Sequence, residues 1–118
     1  MSGVGQLQEA LEAAEKSRAY ITRLDWLDIG ESFLKARLYL DSDLFVQVYR
    51  NDKYSTTNFA LIQGEIRIYG RDELSGKWHR HPADDPTRHD TSAEGDRAVS
   101  LSEFLDEVEK IVTDKNLL

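Results

Sequence analysis

Cysteine is absent from the 118-residue chain. That excludes a disulfide framework, a thiol nucleophile and every zinc site built with thiolates, and leaves histidine and carboxylate as the available metal ligands. Long apolar runs are missing as well. No stretch approaches the roughly 18 residues that a membrane span needs, and the opening MSGVGQLQEALEAAEK has neither a basic start nor a continuous apolar segment. The expectation is a cytoplasmic protein with no membrane partner. Positive charge is in deficit, with 15 Lys and Arg against 22 Asp and Glu and a formal net charge of −7. Affinity for a polyanion rests mainly on Lys and Arg contacts to phosphate, so indiscriminate nucleic-acid binding is disfavoured while a local basic patch is not. Acidic charge also suits docking to a basic partner surface. Also absent are a glycine-rich phosphate loop, a GxSxG elbow, an HExxH helix and a DxDxDG calcium loop.

What is present describes a single globular domain, residues 1–118, with 40% hydrophobic and 31% charged residues and no internal repeat or low-complexity linker. From Gln6 to about Leu24, the residues Leu7, Ala10, Leu11, Ala14, Ile21 and Leu24 recur near a 3.6-residue period. They predict an amphipathic helix, ended by the tract DWLDIG. The period then drops to two. Strands are predicted in SFLKARLYL (32–40), LFVQVY (44–49), YSTTNFALI (54–62), EIRIYG (65–70) and KWHRH (77–81). The turns between them are DSD, RNDK, Gln63–Gly64 and LSG, and connections this short join antiparallel neighbours. Residues 82–98 have no period and form a long loop rich in Pro, Asp, Gly, Ser and Thr. Ser100 and Glu103 have capping-box spacing, and Val99 and Phe104 that of a hydrophobic staple. Leu101, Phe104, Leu105, Val108, Ile111 and Val112 then fall on one helical stripe. The expected class is α+β: an N-terminal helix, a five-stranded antiparallel meander, a long His/Pro loop and a C-terminal helix, with both helices on one sheet face.

Side-chain parity sorts the strands further. If the aliphatic residues face the helices, the open face carries Phe33, Lys35, Arg37, Tyr39, Phe45, Gln47, Tyr49, Arg67 and Tyr69, and burial of Trp78 adds His79 and His81. Aromatic rings stack on bases while Arg and Lys track a phosphate backbone, so this surface suits RNA. The same residues are also ordinary cross-strand pairs of an exposed antiparallel sheet.

The chain's three histidines all fall within WHRHPADDPTRHD, residues 78–90. Three readings stand. In the first, His79, His81 and His89 move protons in RNA cleavage, since imidazole titrates near neutral pH. Arg67, Tyr69, Arg71, Lys35 and Arg37 then bind substrate, no cofactor is needed, and the enzyme is a metal-independent ribonuclease. In the second, His79 and His81, at i and i+2 on a strand, bind a divalent metal with a third ligand from the loop, His89 or Asp90, or else Asp84 or Asp85, in a metal-dependent hydrolase. In the third, the histidines pair with loop carboxylates. The chain is then a non-catalytic interaction module whose aromatic face, Tyr49 and Tyr69 included, binds a protein or a second copy of itself.

The string VYRNDKYSTTNFALIQGEIRIYGRD, followed by WHRHPADDPTRH, resembles the small TumE-type toxin proteins. The matching positions are Phe59, Leu61 and Ile62, then Tyr69, Gly70 and Asp72, then Trp78, His79, His81, Pro82, Pro86 and His89, and the resemblance covers roughly residues 30–112. Many relatives carry paired HH steps in the loop, whereas this chain has HRH and a single His89. The resemblance implies an antiparallel meander, a place in a toxin–antitoxin module and a cognate antitoxin as partner.

Overall fold

The computed structural model describes residues 3–118. Helix α1 (Gly3–Ser17) leads into six strands, β1 (Arg23–Ile29), β2 (Phe33–Tyr39), β3 (Leu44–Asn51), β4 (Thr56–Gln63), β5 (Ile66–Leu74) and β6 (Lys77–His81), and helix α2 (Leu101–Asp114) closes the chain. The class is α+β. The strands form one antiparallel sheet in chain order, β1-β2-β3-β4-β5-β6.

Six strands replace the expected five because α1 stops at Ser17 rather than near Leu24. The helix formers of LQEALEAAEK give out at Lys16, and the tract that follows holds Tyr20, Ile21, Thr22 and Trp26, β-branched and aromatic residues that favour an extended chain. Ile21 and Leu24 kept the helical spacing only by coincidence. The new strand lies at the sheet edge, with a register shift between Trp26 and Asp28, and leaves Trp26, Leu27 and Ile29 exposed.

Two hairpin turns set the register near the histidines. Gly64 opens the β4–β5 turn at φ 63°, and Ser75 and Gly76, at φ 52° and 82°, form the two-residue β5–β6 turn. Positive φ at both central positions matches the right-handed twist of the flanking strands. Between these turns β5 carries a bulge. Leu61 pairs with Tyr69 but Ile62 pairs with Arg67, so Ile68 is the extra residue. A bulge reverses side-chain parity along the strand that carries it.

The core lies between the sheet and the helices. Leu34, Ala36, Leu38, Val46, Val48, Phe59 and Leu61 share one cluster with Leu11 and Ala14 of α1 and with Phe104, Leu105 and Val108 of α2. Each Leu, Val or Phe among these contributes about 1.5–3 kcal/mol on burial. Arg18 at the end of α1 donates to Asp106 of α2 at 2.9 Å, and the Tyr20 hydroxyl donates to the Leu105 carbonyl at 2.8 Å. The Ser100–Glu103 capping box is complete in both directions. The loop before α2 is anchored where Arg80 and Asp90 exchange two backbone hydrogen bonds beside β6. Among the described residues, no helix is long and apolar enough to cross a membrane.

Candidate functional site

The β5–β6 hairpin places its charged residues by parity. In register, Asp72 lies opposite His79, Gly70 opposite His81 and Arg71 opposite Arg80. Asp72, His79 and His81 therefore share the open face, while Arg71 and Arg80 point the other way.

On the open face three ligand atoms converge. His81 Nε2 is 3.0 Å from Asp72 Oδ2 and 3.1 Å from His79 Nε2, and His79 Nε2 is 3.4 Å from the same Asp72 oxygen. The other oxygen of Asp72 accepts from the Asn58 side-chain amide on β4. His81 Nδ1 lies 3.1 Å from the Pro86 carbonyl oxygen and 3.1 Å from Arg67 Nη2. Arg67 Nη1 also stands 3.7 Å from Asp72 Oδ2. His89, on the anchored loop, stacks parallel on His79 with ring centroids 4.9 Å apart and meets His81 edge-on at 4.8 Å. His81 is buried, His79 half-buried and His89 exposed, so the cluster runs from the sheet out to solvent. Gly70 lies beneath it: a methyl group there would meet Arg67 Cδ at 3.3 Å and His81 Cδ2 at 3.7 Å. Burial first, and the Arg67 charge second, hold the His81 imidazole below the ordinary histidine range and favour its neutral form.

Several expected site residues lie elsewhere. Tyr69 was expected on the open face, but the bulge at Ile68 turns it inward, where it is 4% exposed and stacks on Phe104 at 5.6 Å. Burial, then Glu107, pushes its phenol up to about 12. It cannot serve an aromatic docking face. Arg71 is fully buried on the helix side. Its guanidinium donates to both Glu107 oxygens, at 2.6 and 3.1 Å, and to the Glu94 carbonyl at 2.7 Å. Asp90 reaches back to Arg80, and hydrogen bonds from Ser92 first, then Arg80, hold its carboxyl well below the usual carboxylate range. It is not among the converging ligand atoms. Asp84 and Asp85 are exposed, beside Arg88 and Thr87 respectively.

Lys35 and Arg37 do lie on the open face, but on β2, four strands from β6 and therefore about 19 Å from the histidines. They face Asp28 and Asp25 across the β1 ladder. Arg37 covers the Phe45 ring at 4.4 Å and donates to Gln47 at 3.1 Å, so part of the aromatic–basic face is paired within itself. A cleft of about 320 Å³ opens on the helix side, lined by Leu7, Ala10, Phe59, Trp78 and Leu101, and does not reach the histidines.

Asp72 and Asn58 belong to the cluster without having been singled out as site residues. A signal for Asp72 was available: counting back through a two-residue turn at Ser75–Gly76 puts it opposite His79. Taken together, fold and cluster define an α+β meander with a His–Asp centre at one edge of its open face. No family model, no curated protein and no solved structure matches the chain.

Proposed function

We propose that the open-face His–Asp centre processes phosphodiesters, with RNA as substrate, and that the protein is the toxin-like component of a cytoplasmic toxin–antitoxin module with a cognate antitoxin as partner. The observation that carries the site is the convergence of Asp72, His79 and His81, with Arg67 beside them and His89 at the solvent rim. The toxin role rests on the resemblance of the His/Pro string.

In this reading Arg67 is the phosphate contact. Its guanidinium is half-buried at the edge of the centre, where a planar fork binds phosphate oxygens well. His81 is too deep to meet substrate and acts as a positioning residue for His79 and Asp72. Cleavage needs one group to accept the 2′-hydroxyl proton as that oxygen attacks phosphorus. A second group delivers a proton to the 5′-oxygen as its bond to phosphorus breaks. Exposed His89 takes one of these roles and the Asp72–His79–His81 centre the other. Lys35 and Arg37 are too far to touch the reacting phosphate, and would hold a strand laid across the sheet.

The test is growth after induced expression in a bacterial host, comparing wild type with His79→Gln/His81→Gln at equal soluble levels. Arrest by wild type alone, with shortened cellular RNA, is expected. Equal arrest by both would remove the histidines from the activity, and normal growth with both would remove the toxin role.

A further inference from the structure

We propose that Asp72 Oδ2, His79 Nε2 and His81 Nε2 hold a divalent first-row transition-metal ion, bound on one side by these three atoms and open to water or substrate on the other. The inference deepens the reading of the same site, and rests on it only for what the ion would do, not for whether it binds.

Three observations carry it. The first is the size of the triangle. Its edges are 3.0, 3.1 and 3.4 Å. Ligands about 2.0–2.2 Å from a metal stand about 3.3–3.6 Å apart in a tetrahedral shell and about 2.8–3.1 Å apart in an octahedral one. Two edges match an octahedral shell and the third a tetrahedral one, and two imidazoles with one carboxylate are the donor set of zinc and of non-haem ferrous sites.

The second is proton counting. Two neutral imidazoles bring at most two N–H groups to the centre and the carboxylate brings none. Three mutual contacts therefore cannot all be hydrogen bonds. One cation in the middle replaces all three.

The third is the support behind the ligands. His81 Nδ1 faces the Pro86 carbonyl at 3.1 Å, and Asp72 Oδ1 accepts from Asn58. A metal-bound imidazole commonly donates its other N–H to a backbone carbonyl, and ligating carboxylates are themselves hydrogen-bonded.

Arg67 explains how the site rests without an ion. His81 Nδ1 lies between an obligate donor, Arg67, and an obligate acceptor, the Pro86 carbonyl, and it can satisfy only one at a time. Without metal, Arg67 donates to Nδ1, and Nε2–H donates to Asp72. With metal, the proton sits on Nδ1 and bonds to Pro86, Nε2 ligates the ion, and Arg67 is released. A released guanidinium beside a cation is a binding site for an anionic oxygen, which suits the phosphate of the proposed substrate.

The experiment uses the full chain, purified without a histidine tag and stripped with EDTA. Zinc chloride is titrated calorimetrically, and cobalt(II) chloride is followed by its visible absorption. One ion per chain is expected with micromolar or tighter affinity. Asp72→Asn and His79→Gln should each weaken binding at least tenfold, Arg67→Gln should tighten it, and Asp84→Asn/Asp85→Asn should leave it unchanged. Failure of the wild type to bind either ion, or undiminished affinity in a folded Asp72→Asn, would overturn the site. Should Asp72→Asn misfold, histidine ring-nitrogen NMR of the wild type decides. Zinc must shift Nε2 of His79 and His81, and a shift confined to other residues counts against the proposal. RNA cleavage is assayed separately. Metal binding with no cleavage removes the ribonuclease reading and leaves the site, and cleavage in EDTA by a chain that binds no metal does the reverse.

Discussion

The two faces of the β5–β6 hairpin carry comparable charge and treat it differently. On the helix side Arg71 is fully buried, and four hydrogen bonds to Glu94 and Glu107 occupy its guanidinium. Arg80 is matched by Asp90 through side chain and backbone. Each nitrogen of the Arg71 guanidinium has an acceptor, and the result ties β5, β6, the loop and α2 together. On the open side, one residue away along each strand, two imidazoles crowd one carboxylate oxygen, and a third imidazole stacks above them. No assignment of protons satisfies all of those contacts. The comparison teaches that similar charge can be closed into hydrogen bonds on one face and left with competing lone pairs on the other.

Substitutions on the helix side should cost stability. The largest loss is expected from Arg71→Ala, which leaves Glu107 in a mostly buried position without its partner, at about 3–5 kcal/mol. Urea denaturation reads it directly. Arg71→Met with Glu107→Leu should recover most of the loss, because removing both charges removes the uncompensated one. Burial would by itself lower the Arg71 pKa, yet it is raised, since the Glu107 hydrogen bond together with the Tyr69 and Glu107 charges outweighs burial. The arginine stays charged throughout the accessible pH range.

Tyr69→Phe separates the two sides by pH. The phenol's folded pKa is raised from its ordinary value near 10 to about 12, so the folded state holds the proton more tightly than the unfolded chain does. Its contribution is fully present below about pH 10 and lost as pH rises through about 12. Over that window the wild type should lose roughly 2–3 kcal/mol more stability than Tyr69→Phe. Parallel alkaline curves would put Tyr69 outside the closed network.

Asp90→Asn should lower the melting midpoint less than Arg71→Ala does, because the backbone pair between Arg80 and Asp90 survives the change. Its low carboxyl pKa means that the charged Asp90's contribution is fully present above the ordinary carboxylate range and is lost progressively as pH falls below that range. A midpoint equal to that of Arg71→Ala would show the loop, rather than α2, to be the main anchor. The smallest effect on stability, under about 1 kcal/mol, is expected from Asp72→Asn, a buried but near-isosteric change that keeps the oxygen facing Asn58.

How much of this was legible in the sequence follows from range. Period-two alternation marked β2 to β5, and Ser100 with Glu103 marked the start of α2, because those signals lie within a few residues of what they specify. Strand β1 was not legible: Ile21 and Leu24 extend the helical period of α1 while the residues between and after them favour a strand. The bulge at Ile68 leaves no local mark, since it is a property of the β4–β5 pairing, and it moved Tyr69 from the open face to the core. Arg71 is drawn inside by Glu107, 36 positions away. The histidine pair on one face was readable from i, i+2 spacing. Its carboxylate partner needed the hairpin register, and His89 needed the loop to return alongside β6.

The central claim is that function sits on the open side while the helix side holds the fold. It is tested most directly by incubating purified wild type and Asp72→Asn with a fluorophore-labelled single-stranded RNA, alongside melting curves of both. The account expects cleavage by the wild type, at least 100-fold slower cleavage by Asp72→Asn, and nearly coincident melting. Equal cleavage by the two chains, or none by a folded, zinc-supplied wild type, would contradict it.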